Sequence, residues 1–182
     1  MKTRKRQREG FHGSEGNPVL LKLYAACLHN AEQLCDDAEL LFEARHFPRA
    51  YALAFTALEE IAKAHAIADY FTGVLSHSEF TNAFHKHRMK AAYLDRVVTI
   101  ECLPSAVATV EYDERAVESQ VISRMRAFYV DFGVNYAPMT PCDAIDSDMA
   151  GRAIERARAL LHEIIVNDEY FGHQIGTKGL WK

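Results

Sequence analysis

Between Arg49 and Asp69 the chain carries only three charges, Glu59, Glu60 and Lys63, in a stretch that is otherwise apolar and rich in alanine. A helix that is apolar on most of its sides is buried on most of its sides, so the rest of the fold must wrap this segment. Charges inside such a helix need partners, because an ion taken out of water alone is costly.

The remaining sequence supplies helices for the wrapping. Asn17-Pro18 marks a helix start, with proline in the first turn. Leu20, Tyr24, Cys27, Ala31, Leu34, Ala38 and Leu41 then recur at spacings of four and three, an amphipathic stripe. Phe47-Pro48 restarts the chain into a second helix, near 48–72, broken at Gly73. Ser76 or Ser78 caps a third, with Phe80, Phe84, His87, Ala91, Leu94 and Val98 on one face. Pro104 interrupts the chain and leaves the stretch to Asp113 unassigned. A fourth helix is expected to turn Val121, Ile122, Met125, Phe128, Tyr129 and Phe132 inward and to end at Gly133. After a loop with Pro138 and Pro141, Asp146 or Ser147 starts a fifth, with Ile154, Ala157, Leu161 and Ile164 on one face. No period-2 run, hairpin signal or internal repeat stands out. The expectation is an all-α bundle of about five helices in one domain. It runs over residues 17–172, between a basic flexible tail at 1–16 and a C-terminal tail at 173–182.

Composition narrows the function classes. At 182 residues, 49% hydrophobic and 25% charged, the chain has the make-up of a soluble globular domain with a sizeable core. A net charge of −4 gives no general pull toward nucleic acid. The start, MKTRKRQREGFHGSEG, is basic without the apolar stretch of a signal peptide, and offers a local contact for RNA or another acidic partner. Cys27, Cys35, Cys102 and Cys142 form no CxxC pair, which argues against zinc and disulfide frameworks and for a reducing cytoplasm. No apolar run approaches the roughly 20 residues that span a bilayer. Gly-rich phosphate loops and G-x-S-x-G are absent.

Helix phase assigns the polar residues to faces. At about 100° per residue, Glu59 and Lys63 fall opposite Ile61, as a solvated i,i+4 pair. Glu60 falls at the edge of the apolar stripe beside Leu53 and Ala64. His87 is centred on the apolar face of the third helix, flanked by Arg88 and Lys90. On the fourth helix Arg124 and Asp131 share one flank and Arg126 takes the other, near Tyr129. Glu60, His87 and an arginine of the fourth helix are therefore expected to meet. A purely structural network that fixes helix register is the plainer reading of the same residues.

The stretches RAYALAFTALEEIAKA (49–64), FHKHRMKAA (84–92) and RMRAFYVDF (124–132) resemble the AbiV family of abortive-infection proteins, within the HEPN superfamily of helical bundles. The matching motifs are E-E-x-x-K at Glu59, Glu60 and Lys63, H-x-x-K at His87 and Lys90, and Y-V-D at Tyr129, Val130 and Asp131. The resemblance implies a cytoplasmic antiphage protein acting as a homodimer. It also implies one activity, metal-independent endoribonuclease, since many HEPN proteins use R-x4-6-H, with arginine stabilising the phosphate and histidine moving the 2′-hydroxyl proton. This chain departs from that pattern: Arg124 and Arg126 are followed by Tyr129 and Asp131 and by no histidine. The one formal match, Arg156-x5-His162, points about 120° apart on a helix, whereas Arg158 lies beside His162. The candidate catalytic set is therefore His87 as acid/base, Lys90 and Arg126 for phosphate, and Glu60 and Asp131 to orient them, with Arg156 and His162 as the weaker alternative. The competing class is a non-catalytic module that binds a phage or host protein. A metal site is not expected: Glu43-x-x-His46 lies at a helix end, and His85 faces away from His87. No cofactor is expected either.

Overall fold

The computed structural model describes residues 18–71, 75–92, 94, 114–170, 174–175 and 179–180. The basic tail, Gly73 and the stretch around Pro104 lie outside them. The chain runs α1 (Pro18–Glu43), α2 (Phe47–Phe71), α3 (His77–His85), a helical segment α4 over residues 87–92, and α5 (Glu114–Arg126). It continues through β1 (Asp131–Phe132), a 3₁₀ turn at Val134–Tyr136, β2 (Pro138–Met139), α6 (Pro141–Ala144), α7 (Ser147–Tyr170), β3 (Gln174–Ile175) and β4 (Gly179–Leu180). It is an all-α fold carrying two small antiparallel hairpins, β1–β2 and β3–β4.

Helix α2 is the axis. Its alanines at 50, 52, 54, 57, 62, 64, 66 and 68 are all buried, so burial covers most of the helix and leaves only a narrow edge, Leu53, Thr56, Glu60 and Lys63, partly exposed in its middle. Small side chains let neighbouring helices approach closely. Helices α1 and α7 close one side through Cys27, Ala31, Cys35, Ala157 and Leu161 against Leu58, Ile61 and Ala64. Ala91 of α4, Val117 of α5, Ile145 and Ile154 join Ala50, Ala54 and Phe55 in a second cluster. Between α1 and α2 the chain turns at Arg45, which takes a left-handed φ of 61°. His46 N donates to Leu41 O and Arg45 N to Phe42 O, the paired bonds of a Schellman cap at a position where glycine is usual.

Three expectations are corrected. The third helix breaks at Lys86, whose φ of −93° and ψ of 120° are extended, so His87 opens α4 instead of sitting mid-helix. Ser76 caps α3 with a capping box to Glu79. The fourth helix ends at Arg126, seven residues before Gly133, and a hairpin replaces its last turns. Asn135 and Tyr136 make that reversal with φ of 57° and 59°. The helical phase therefore does not extend through 128–132, and Ile122, Met125, Phe128, Tyr129 and Phe132 face solvent. The fifth expected helix starts as anticipated, with Asp146 Oδ1 accepting from Met149 N at 2.7 Å.

Candidate functional site

Glu59 lies in the middle of α2, only 2% exposed, and three other helical positions supply its partners. The extended Lys86 lets α4 begin at His87, and the His87 ring reaches back to α2: Nδ1 is 2.7 Å and 2.9 Å from the two Glu59 carboxylate oxygens. Lys90, next turn of α4 and also buried, places Nζ 3.5 Å from Glu59 Oε2. From α5, Arg124 Nε stands 3.9 Å from Glu59 Oε1, an ion pair beyond hydrogen-bond length. Arg124 Nε is itself buried and has no hydrogen-bond partner among the described residues.

One buried carboxylate thus faces a lysine, an arginine and a histidine. The charges of Lys90 and Arg124 exceed that of Glu59, so the cluster carries positive charge before the histidine is counted. Its opening to water is the His87 side chain, half exposed at 50%. A carboxylate on Nδ1 fixes the tautomer: Nδ1 carries the hydrogen and the neutral ring offers the Nε2 lone pair outward. Such a group accepts a proton from a bound hydroxyl and returns one to a leaving group.

The expected residues divide between this cluster and other places. His87 and Lys90 are in it. Glu60 is not; it takes Lys63 at 2.5 Å on a partly exposed edge of α2, where Lys63 also lies over the Phe84 ring. The expected solvated pair Glu59–Lys63 is absent: Glu59 is buried against α4 and α5, while Lys63, on a partly exposed edge of α2, pairs with Glu60. Arg126 and Asp131 pair with each other at 3.2 Å on the surface, where Asp131 also accepts from Phe132 N. That backbone bond first, and Arg126 second, hold the Asp131 carboxyl below the usual carboxylate range. His162 is exposed on α7. Arg158, one turn before His162 on α7, clamps α7 to α1, with Nε 2.7 Å from Glu39 Oε1 and a terminal nitrogen 2.5 Å from Asp36 Oδ1. The site residue missed by sequence reasoning is Glu59; the expected arginine of the fourth helix is Arg124, not the Arg126 chosen for phosphate. The sign for Glu59 was present in the alanines on either side of it along α2, which bring neighbouring helices close to that face.

Arg156 lines a cleft of about 210 Å³ between α2, α5 and α7, with Tyr51, Phe55, Leu58, Gln120, Met149 and Arg152. Burial raises the Tyr51 hydroxyl above its ordinary pKa there. Elsewhere in α2, His65 is buried with both ring nitrogens unpartnered among the described residues, and burial pushes it down to about 4. Burial raises the Cys27 thiol to about 12, with the Glu60 charge adding to the shift, which makes it a poor nucleophile. No cluster of three or more metal-ligating side chains occurs among the described residues, nor any helix long and apolar enough to cross a membrane.

Comparison with known proteins gives one match. No curated protein and no solved structure is similar enough to report. The HEPN_AbiV family model, described as AbiV, matches residues 19–162 and so takes in every helix that contributes to the Glu59 cluster. Membership points to abortive-infection defence, and the match covers most of the chain: this protein belongs to the AbiV family of HEPN proteins.

Proposed function

We propose that the Glu59 cluster is an acid–base centre acting on RNA, and that the protein is a metal-independent endoribonuclease that arrests growth during infection. The observation that carries this reading is the His87 ring, held by a buried carboxylate on one nitrogen and open to solvent, among an excess of positive charge. His87 Nε2 takes the proton of a ribose 2′-hydroxyl. The freed oxygen attacks the adjacent phosphorus, the P–O5′ bond breaks, and the departing 5′-oxygen takes up a proton, leaving a 2′,3′-cyclic phosphate. Glu59 orients the imidazole and stabilises its cation. Arg124, with a buried Nε that makes no hydrogen bond among the described residues, has donor capacity for a phosphate oxygen. Lys90 adds charge while remaining paired to Glu59. Arg126 and Asp131 stay outside this role, because they satisfy each other on the surface. The protein works in the cytoplasm as a homodimer in this reading.

Incubating the purified protein with total RNA in EDTA tests it. EDTA-resistant cleavage lost in His87→Ala is the expected result; intact RNA alongside growth arrest in cells supports the second reading. That reading is a non-catalytic module that binds a phage or host protein. The apolar residues exposed between Ile122 and Tyr136 favour it.

A further inference from the structure

The cleft between α2, α5 and α7 lies outside the Glu59 cluster yet shares two of its helices. Its floor is the buried Tyr51, Phe55 and Leu58 of α2, and its rim is Gln120 of α5 with Arg152 and Arg156 of α7. At about 210 Å³ it falls short of the roughly 300–1,000 Å³ that enclose a drug-sized ligand, so it holds one flat ring and leaves the rest of a ligand outside. The Tyr51 and Phe55 rings stand one helical turn apart, with 6.2 Å between centroids and 27° between planes. Arg152 and Arg156 are four residues apart, which sets both on one face of α7. No carboxylate lines the cleft among the described residues.

Aromatic rings, an amide and two guanidinium groups are the parts that seat one nucleotide of a single strand. A base of any identity packs on aromatic side chains. A glutamine amide donates and accepts, so it can read a base edge. Guanidinium groups bind phosphate and supply the positive excess that a nucleic acid requires. We infer that the cleft is the base-reading subsite of the RNA site: one base rests against Tyr51 and Phe55, Gln120 reads its edge, and Arg152 and Arg156 hold the flanking phosphates. The inference rests on the RNA reading above and gives Arg156 a role in binding instead of a proton-transfer partnership with His162.

Position ties the cleft to the cluster. Leu58 of the cleft directly precedes Glu59 on α2, and Gln120 stands one turn before Arg124 on α5, about 6 Å along the axis. Both sites therefore open along the seam between α2 and α5, which a hydrogen bond between Ser123 and the Tyr51 hydroxyl also crosses. A stacked strand rises about 3.4 Å per nucleotide. A phosphate at Arg124 and a base at Gln120 are thus about two nucleotides apart on one strand.

Fluorescence anisotropy with short 2′-O-methyl RNAs tests this, because they lack the hydroxyl proton that cleavage needs. Oligonucleotides made only of A, only of C or only of U should bind the wild type with different affinities. Arg152→Glu reverses a charge at an exposed rim position, and Ala153→Phe fills the cleft; each should melt as a folded protein and bind at least tenfold more weakly. Gln120→Ala should flatten the ranking of the three oligonucleotides, which a merely structural role would not move. Leu40→Glu, exposed on α1, should change nothing. Unchanged binding by folded Arg152→Glu and Ala153→Phe overturns the inference, and an unchanged ranking in Gln120→Ala overturns the role given to that residue. A nucleoside monophosphate expelled by Ala153→Phe, beside oligonucleotide binding that ignores it, assigns the cleft to a free nucleotide and overturns its place on the RNA path. Cleavage of total RNA by the wild type with oligonucleotides indifferent to the cleft leaves the ribonuclease reading standing and this inference overturned. Oligonucleotides bound through the cleft of a protein that cleaves no RNA overturn the ribonuclease reading and support the subsite.

Discussion

The protein contains two clusters built from the same kinds of side chain with opposite balances. Between α1 and α7, Arg158 meets two carboxylates, Asp36 and Glu39, and every member touches water. Between α2, α4 and α5, a single carboxylate, Glu59, meets Lys90, Arg124 and His87, and only the histidine is substantially exposed. The first has surplus negative charge and short bonds throughout, which suits a clamp between helices and repels phosphate. The second has surplus positive charge, a buried arginine nitrogen with unused donor capacity and a half-exposed imidazole. Cation and carboxylate together say little about function; which sign is in excess, and which member faces solvent, says much more.

The largest effect that would test this contrast is removal of the buried hub. Glu59→Ala leaves Lys90 and Arg124 in the interior without their carboxylate, and breaking a buried pair in this way costs about 3–5 kcal/mol. Thermal melting should fall by about 10 °C for a domain of this size. A shift of only a degree or two would mean that the cluster is far more hydrated than its burial indicates.

His65 sharpens the contrast from the other side, as a buried polar group with no partner among the described residues. Its ordinary pKa of 6.5 is pushed down to about 4 by burial. Between those values the unfolded chain binds a proton that the folded chain refuses. Stability should therefore be full above about pH 7 and decline by up to about 3 kcal/mol as pH falls through 6.5 toward 4. Denaturation with urea across that range checks it, and His65→Leu should flatten the profile.

The surface clamp should matter less. Arg158→Ala removes bonds to partly exposed carboxylates, which are worth about 1 kcal/mol in water, and should leave any RNA cleavage intact. Smaller again is the turn at Arg45. Arg45→Gly relieves the left-handed backbone there and should raise stability by about 0.5–1 kcal/mol in the same urea measurement.

The helices were largely legible in the sequence because their signals are local. Proline at 18 and 48, serine at 76 and aspartate at 146 mark starts, and the stripe of α1 reads directly. The faces of α2 were not legible, since alanine on most sides leaves only a narrow, partly exposed edge for a phase argument to find. That is why Glu60 was placed where Glu59 stands. The break at Lys86 was equally hidden: nothing in HKHRMK forbids a continuous helix, and the extended residue that lets His87 reach α2 is set by packing. The hairpin after α5 escaped notice because its strands are two residues long, too short for a period-2 pattern, and its left-handed residues are Asn135 and Tyr136 instead of glycine. His87 and Lys90 were recognisable as a pair; the partner that organises them was not.

Chemistry on RNA by the Glu59-held His87 is the step of the proposal most open to direct test. The direct measurement is cleavage of total RNA in EDTA by wild type, His87→Ala and His162→Ala, with melting of each variant alongside. His87→Ala loses a half-exposed ring and about 1–2 kcal/mol of stability, so it should melt as a folded protein while cleaving at least 100-fold more slowly. His162→Ala should cleave like the wild type. Cleavage by a folded His87→Ala at the wild-type rate would contradict the account, and its loss in His162→Ala alone would move the active constellation to α7.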